Sequence, residues 1–304
     1  MSAPKLIVPP HIAVAHAMPD LLPAGKPRRG MIGFLRRHPT VAVGSALLIL
    51  MLLMAVFAPY LATIDPTALA LARRARAPSR DFWFGTDMLG RDIYSRVIYG
   101  ARVSLTVGFS VATLASVVGL AIGLVSGFVR AADAVLQRVM DGLMSIPPIL
   151  LAVALMALTR GSVGSVIVAI TIPEIPRVSR LVRSVVLSLR EQPYVDAAVV
   201  AGTRTRAIIQ RHILPNTLAP MTVQATYICA SAMIVEAILS FIGAGTPPTI
   251  PSWGNIMAEG RALWQVKPYI VFFPALFLSV TVLAVNLLGD GLRDALDPRM
   301  AKNL

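Results

Sequence analysis

The chain has 304 residues, 56% of them hydrophobic, 6% aromatic and 14% charged, with a mean hydropathy of +0.72. An ordinary soluble domain carries about 25% charged residues, so a soluble enzyme is excluded, and long runs of Ala, Val, Leu, Ile and Met suit lipid-facing helices rather than barrel strands. The net charge of +13 belongs, in such a protein, at the cytoplasmic headgroup surface and not on nucleic acid.

Residues 1–39 mix Pro, His and Arg without periodicity and are expected to form a disordered cytoplasmic tail. Charge-free windows then follow at 40–64, 103–129, 142–159, 161–173, 212–235, 237–258 and 268–289, and a span needs about 20 apolar residues. The first predicted transmembrane helix takes 40–62. It exceeds the apolar core of a signal peptide and ends in FAPYL rather than a small-residue cleavage site, so it is expected to stay uncleaved. Residues 63–102 form an extracytoplasmic segment. Within it, FGTDMLGRDIYSRVIYGARVSL (Phe84 to Leu105) supplies Gly85 and Gly90 as turn residues, Asp92 as a helix cap, and Ile93 and Val97 on one face. An interfacial helix is predicted there, with Arg91, Arg96 and Arg102 snorkelling.

Residues 103–290 are predicted to hold five more spans. The window 142–159 is the third of the six spans. The short window 161–173 becomes the fourth if it continues through Glu174 and Pro176 toward Val186, with a kink at the prolines. The fifth covers about 217–242; Gly243, Gly245, Pro247, Pro248, Pro251 and Gly254 then rule out a helix and predict an irregular loop. The sixth lies within 268–289, and 291–304 is a cytoplasmic C-terminal tail. An all-α integral membrane protein of six spans results. With the N-terminus inside, inner segments carry 18 basic residues and outer segments 10, which places both termini in the cytoplasm.

Catalytic apparatus is not visible. Only Lys26 among the four lysines follows a glycine, and Pro27 comes next, so no phosphate-cradling P-loop is present. There is no HExxH and no GxSxG, the four histidines are scattered, and Cys229 is the sole cysteine, which excludes a disulfide framework and a thiolate metal cluster.

The most specific pattern is EQPYVDAAVVAGTRTRAIIQRHILPN, Glu191 to Asn216. Pro193 suits a first helical position, Asp196 complements the helix dipole in the first turn, and Gly202 suits a C-terminal cap, which predicts a helix over 193–201. Thr203 then caps a second helix that ends before Pro215, with Ala207, Ile208 and Ile213 on its apolar face. Ala197, Ala198, Ala201 and Gly202 leave a surface with little side-chain bulk, as a docking helix requires. The plainer alternative is an amphipathic elbow on the membrane.

The spacing of Asp196, Ala197, Ala198, Gly202, His212, Ile213, Leu214 and Pro215 resembles the EAA loop of ABC importer permeases, with Asp196 in place of the usual Glu. The segment before the second span resembles the G-T-D-x-x-G-R-D stretch of dipeptide, oligopeptide and nickel permeases of the C-subunit type. Further similar stretches are Arg36 to Pro59, Ser240 to Ile256 and Gly289 to Arg299. The resemblance implies a type I ABC importer permease fold in a prokaryotic inner membrane. It also implies a homologous permease, two cytoplasmic ATPases that bind ATP and magnesium and touch the EAA loop, and an extracytoplasmic solute-binding protein. The substrates it implies are di- or oligopeptides, with nickel chelates, glutathione or opines as the alternative.

Ionisable residues inside spans are costly and face a bundle interior or a cavity. Glu236, with Ser240 nearby, suits either a translocation path or an interhelical hydrogen bond. Glu174 suits a place on that path, where it could hold a cationic ligand, or pairing with Arg177, Arg180 or Arg183. Trp253, Trp264 and Tyr269 suit contact with a binding protein or interfacial anchoring. A self-contained secondary carrier would show inverted repeats and midspan charges, and an intramembrane enzyme would need a catalytic cluster; neither signature is clear.

Overall fold

The computed structural model describes Gly33, Leu35, 38–159 and 161–296, so the expected N-terminal tail falls almost wholly outside the described residues, as do residues 297–304. Regular structure among the described residues is helical, with one isolated bridge between Thr86 and Asp92. Four helices are long and apolar enough to cross a membrane, or five if one sharply bent pair counts as a span.

Helix α1, Pro39–Val56, starts with proline at its first position, where no donor is needed, and stops at Phe57 just ahead of Pro59. A single turn, α2 (Ala58–Leu61), completes the expected first span. The segment that follows is folded on itself. Gly85 (φ +78°) and Gly90 (φ +74°) adopt left-handed turns, and a Cβ on Gly90 would sit 1.9 Å from the Ala70 carbonyl oxygen, so only glycine fits there. Asp92 accepts from the Ser95 backbone N–H at 2.9 Å, as its place before the helix predicts.

The capped helix, α3 (Ile93–Phe128), runs for 36 residues. A separate interfacial helix ending near Arg102 is therefore not what forms. Gly100 packs against Trp253, where a Cβ would lie 3.1 Å from the indole ring, and the helix runs on past Arg102.

Helix α4, Arg130–Met144, and helix α5, Pro148–Ala157, meet at 86°. The third span predicted over 142–159 is thus not one straight helix. Pro147 and Pro148 explain the break, because the residue before a proline avoids helical geometry and each proline lacks a donor. Helix α6, Val163–Arg190, continues through Pro173 and Pro176. It lies along α3 on a glycine ladder: Cβ atoms built on Gly119, Gly123 and Gly127 would fall 2.5–2.6 Å from Val178, Val182 and Val186 side chains. Small residues four apart let two backbones approach closely in lipid. Because the numbering rises together on both helices, α3 and α6 run parallel, and the chain between them returns to its starting side.

Beyond α6 come α7 (Pro193–Val200) and α8 (Thr205–Ile208), described below. Helix α9, Leu214–Phe241, ends in a Schellman motif: Ala244 N–H donates to Leu239 O at 2.8 Å and Gly243 N–H to Ser240 O at 3.0 Å, with Gly243 at φ +84°. The loop expected after it contains helix α10, Trp253–Gly260, capped by Ser252. Helix α11, Tyr269–Leu296, closes the bundle and packs on α1, where Gly44 and Gly291 permit close approach.

Candidate functional site

Helix α7 forms within one residue of the predicted range. Asp196 sits in its first turn, and Gly202 (φ +74°) closes a Schellman motif in which Thr203 N–H donates to Ala198 O at 3.0 Å and Gly202 N–H to Val199 O at 2.9 Å. Val195 alone of its residues is buried and anchors the helix; Asp196, Ala197, Ala201 and Gly202 are exposed and Ala198 is half-buried. Val199 is 58% and Val200 88% exposed, an apolar surface left uncovered by the described residues. A Cβ on Gly202 would meet nothing within 4 Å. This end of the elbow is bare, open and stiffly capped.

Two details differ from expectation. The residue at the start of α8 is Arg204, in extended geometry and without a side-chain cap, not Thr203. Nor does the second helix end before Pro215. A π-helical turn, Ile209–Ile213, joins α8 directly to α9, with Leu214 and Pro215 in the first turn of α9. The wider turn lies just ahead of the proline that cannot donate, so the chain passes the missing hydrogen bond without stopping. Ile208 and Ile213 are buried, and the His212 ring lies 6.0 Å from that of Tyr194, linking the elbow's two arms. The elbow is therefore mechanically continuous with the long helix α9.

Inside the bundle, Glu236 is fully buried and accepts from Ser240 Oγ at 2.9 Å and from Ser104 Oγ at 3.4 Å, so it joins α9 to α3. That is the interhelical alternative. Glu174 is 5% exposed and pairs with Arg177 at 3.0 Å; Arg180 pairs with Asp141, and Arg183 holds Asp133 through two 2.7 Å bonds. Each arginine of the three-residue series has its own carboxylate, two of them on α4.

Trp253 is fully buried and donates from Nε1 to Val97 O at 2.9 Å, so it cannot meet a binding protein; its indole instead locks α10 against α3. Trp264 is 61% exposed and remains accessible. Tyr269 donates to Arg76 O at 2.8 Å, tying α11 to the segment 63–102.

Residues 63–102 also contain a cluster that the sequence alone did not announce. Asp87 pairs with Arg91 at 2.7 Å and with Arg96, and Glu259 on α10 pairs with both arginines. Arg96 is 1% and Arg91 7% exposed, so neither snorkels, whereas Arg102 is exposed as expected. The Asp87 to Arg91 spacing of four was a usable signal; the Glu259 partner, more than 160 residues away, was not.

Comparison with known proteins agrees with this architecture. Residues 115–302 match the family described as "Binding-protein-dependent transport system inner membrane component", and residues 28–78 match the "N-terminal TM domain of oligopeptide transport permease C". The "Probable peptide ABC transporter permease protein y4tQ" of Sinorhizobium fredii is 52% identical over 91% of this chain and 96% of its own. The "Dipeptide transport system permease protein DppC" of Alkalihalophilus pseudofirmus is 40% identical over 92% of this chain and 93% of its own. Among solved structures, an inward facing conformation of the MetNI methionine ABC transporter superposes with a TM-score of 0.55 at 20% identity, covering 67% of this chain and 98% of that one. The fold is that of a type I ABC importer permease. With a family match over more than half its length and close relatives across nearly all of it, this multi-pass inner-membrane chain belongs to the permease subunits of binding-protein-dependent ABC transporters.

Proposed function

We propose that this chain is one permease subunit of an ABC importer that carries di- or oligopeptides across the cytoplasmic membrane, with six spans and both termini inside. The parallel course of α3 and α6 supports that topology, since α4 and α5 must together return the chain across the bilayer. The named functions of the relatives support peptides as the substrate class. The carrying observation for the mechanism is the elbow of α7 and α8. It is exposed, apolar at Val199 and Val200, nearly without side-chain bulk at Ala197, Ala201 and Gly202, and fused through the π turn to α9.

In this reading the chain performs no hydrolysis. Two cytoplasmic ATPases bind ATP and magnesium and seat against α7; their closure pushes the elbow, and the push travels along α9 into the bundle. A homologous permease completes the passage, and a solute-binding protein delivers substrate from outside, with Trp264 as a candidate contact. Alternating access then follows from shifting populations of inward and outward states. Co-purification of the ATPases with this chain, and ATP-dependent uptake of labelled peptide by vesicles holding the full complex, test the proposal. Full uptake by this chain alone would refute it.

A further inference from the structure

Helix α6 carries a polar stripe on the side away from α3. Arg177, Arg180, Ser184 and Ser188 follow at helical spacing and are all exposed, the two arginine side chains by 52% and 46%, while Val178, Val182 and Val186 face α3. The depth of this stripe follows from the glycine ladder. Since Gly119 meets Val178 and Gly123 meets Val182, Glu174 is level with Ala115 and Arg177 with Val118. Those residues are in the middle of the charge-free stretch 103–129 of α3. At 1.5 Å per residue, Arg177 lies about 18 Å short of the level of Arg130. An exposed arginine at that depth faces water or protein, not lipid.

Helix α5 points the same way. Its 10 residues span about 15 Å, half the apolar thickness of a bilayer, and residues 144–150 around its bend are exposed. Interrupted backbone at membrane depth is tolerated only against protein or a water-filled cavity. Asp141, paired with Arg180, puts that bend beside the stripe.

We propose that this stripe forms the wall of the water-filled passage and that Arg177 holds the C-terminal carboxylate of the peptide in transit. The assignment of the ligand rests on the peptide-transport reading above. Among the described residues Glu174 is the only partner of Arg177, engaged through Nη1 alone, so Nε and Nη2 remain to donate to a second carboxylate. Glu174 is buried and acts as a positioning residue, holding the guanidinium at midspan where it would otherwise reach toward the headgroups. Glu236, enclosed by Ser104 and Ser240, plays no part in it.

The test uses the full transporter complex in inside-out vesicles with Cys229→Ser as background. Cysteines replace Arg180 or Ser184 on the stripe, or Val117 on α3, which is 60% exposed at about the depth of Arg177. A membrane-impermeant thiol reagent is expected to modify positions 180 and 184 at least about tenfold faster than 117, the difference between a charged reagent's access to water and to lipid. Equal, slow reaction at all three would overturn the aqueous wall, as would a stripe covered by another subunit. Uptake of a free-acid dipeptide and of its C-terminal amide by intact cells carrying the full complex is then compared in Arg177→Gln and Arg177→Lys. The unchanged binding protein cancels in the mutant to wild-type ratio. Arg177→Gln is expected to raise KM for the free acid about tenfold, with the amide nearly unaffected and Arg177→Lys largely restored. Equal losses for acid and amide would overturn the carboxylate assignment. A wild-type complex that imports neither form refutes the peptide reading and the carboxylate assignment, while the reagent result still decides the wall.

Discussion

Two segments outside the spans have opposite designs. In residues 63–102, Asp87, Arg91 and Arg96 are buried and ion-paired with one another and with the partly exposed Glu259, and Tyr269 and Trp253 bolt the segment to the helices. The elbow of α7 and α8 turns outward. One buried residue, Val195, anchors α7, and at its C-terminal end Val199, Val200, Ala201 and Gly202 are exposed as an apolar or bare surface. A charged cluster that pairs within the chain and is largely buried offers little to a partner, whereas an apolar, capped and exposed helix end offers a surface.

The contrast can be broken at graded strength. The largest effect is expected from Gly123→Val, neither segment but the ladder beneath both. Even a Cβ there would lie 2.6 Å from Val182 Cβ and 2.7 Å from Ser179 O, so α3 and α6 must separate. Overpacking against backbone costs about 3 kcal/mol or more, and the protein should disappear from the membrane fraction on a blot. Glu259→Gln should come next. It leaves Arg91 and Arg96 sharing Asp87, a loss of about 2 kcal/mol, read as a lower unfolding temperature of the purified complex with ATPase binding retained.

Gly202→Asp should do the reverse. The left-handed cap disfavours a β-carbon by about 1 kcal/mol, and the new Cβ would have no described atom within 4 Å. The protein should remain in the membrane, while ATPase pull-down or substrate-stimulated hydrolysis falls to a small fraction of wild type. Asp196→Ala should act in the same direction but more weakly, because it removes only a dipole interaction of about 0.5 kcal/mol; a modest drop in stimulated hydrolysis is expected.

The two segments also differ in how far their residues announced them. Short-range signals sufficed for the elbow's first arm: Pro193, Asp196 and Gly202 mark its start, first turn and cap, and all three act as such. The same holds for Gly85, Gly90 and Asp92. Apolar windows located the long helices α1, α9 and α11. Window counting fails where geometry changes inside a uniform composition, so 142–159 merged the end of α4 with α5 across an 86° bend. The same limitation hid the continuity of α3, because Arg102 suggested a boundary through which the helix continues. Trp253 and Arg96 were assigned to the surface by residue type, and both are buried by partners distant in sequence. Gly119, Gly123 and Gly127 stood at visible spacing, but their partners on α6 come only from the fold.

The central claim is that the exposed end of α7 is the seat of an ATPase. A single cysteine at Val200, the most exposed apolar residue of the elbow, in the Cys229→Ser background tests it most directly. With the assembled complex and a short thiol-to-amine cross-linker, the account predicts an adduct of this chain with the ATPase subunit that grows or fades as nucleotide is added. An ATPase that co-purifies fully yet forms no adduct from position 200 in any nucleotide state would contradict it.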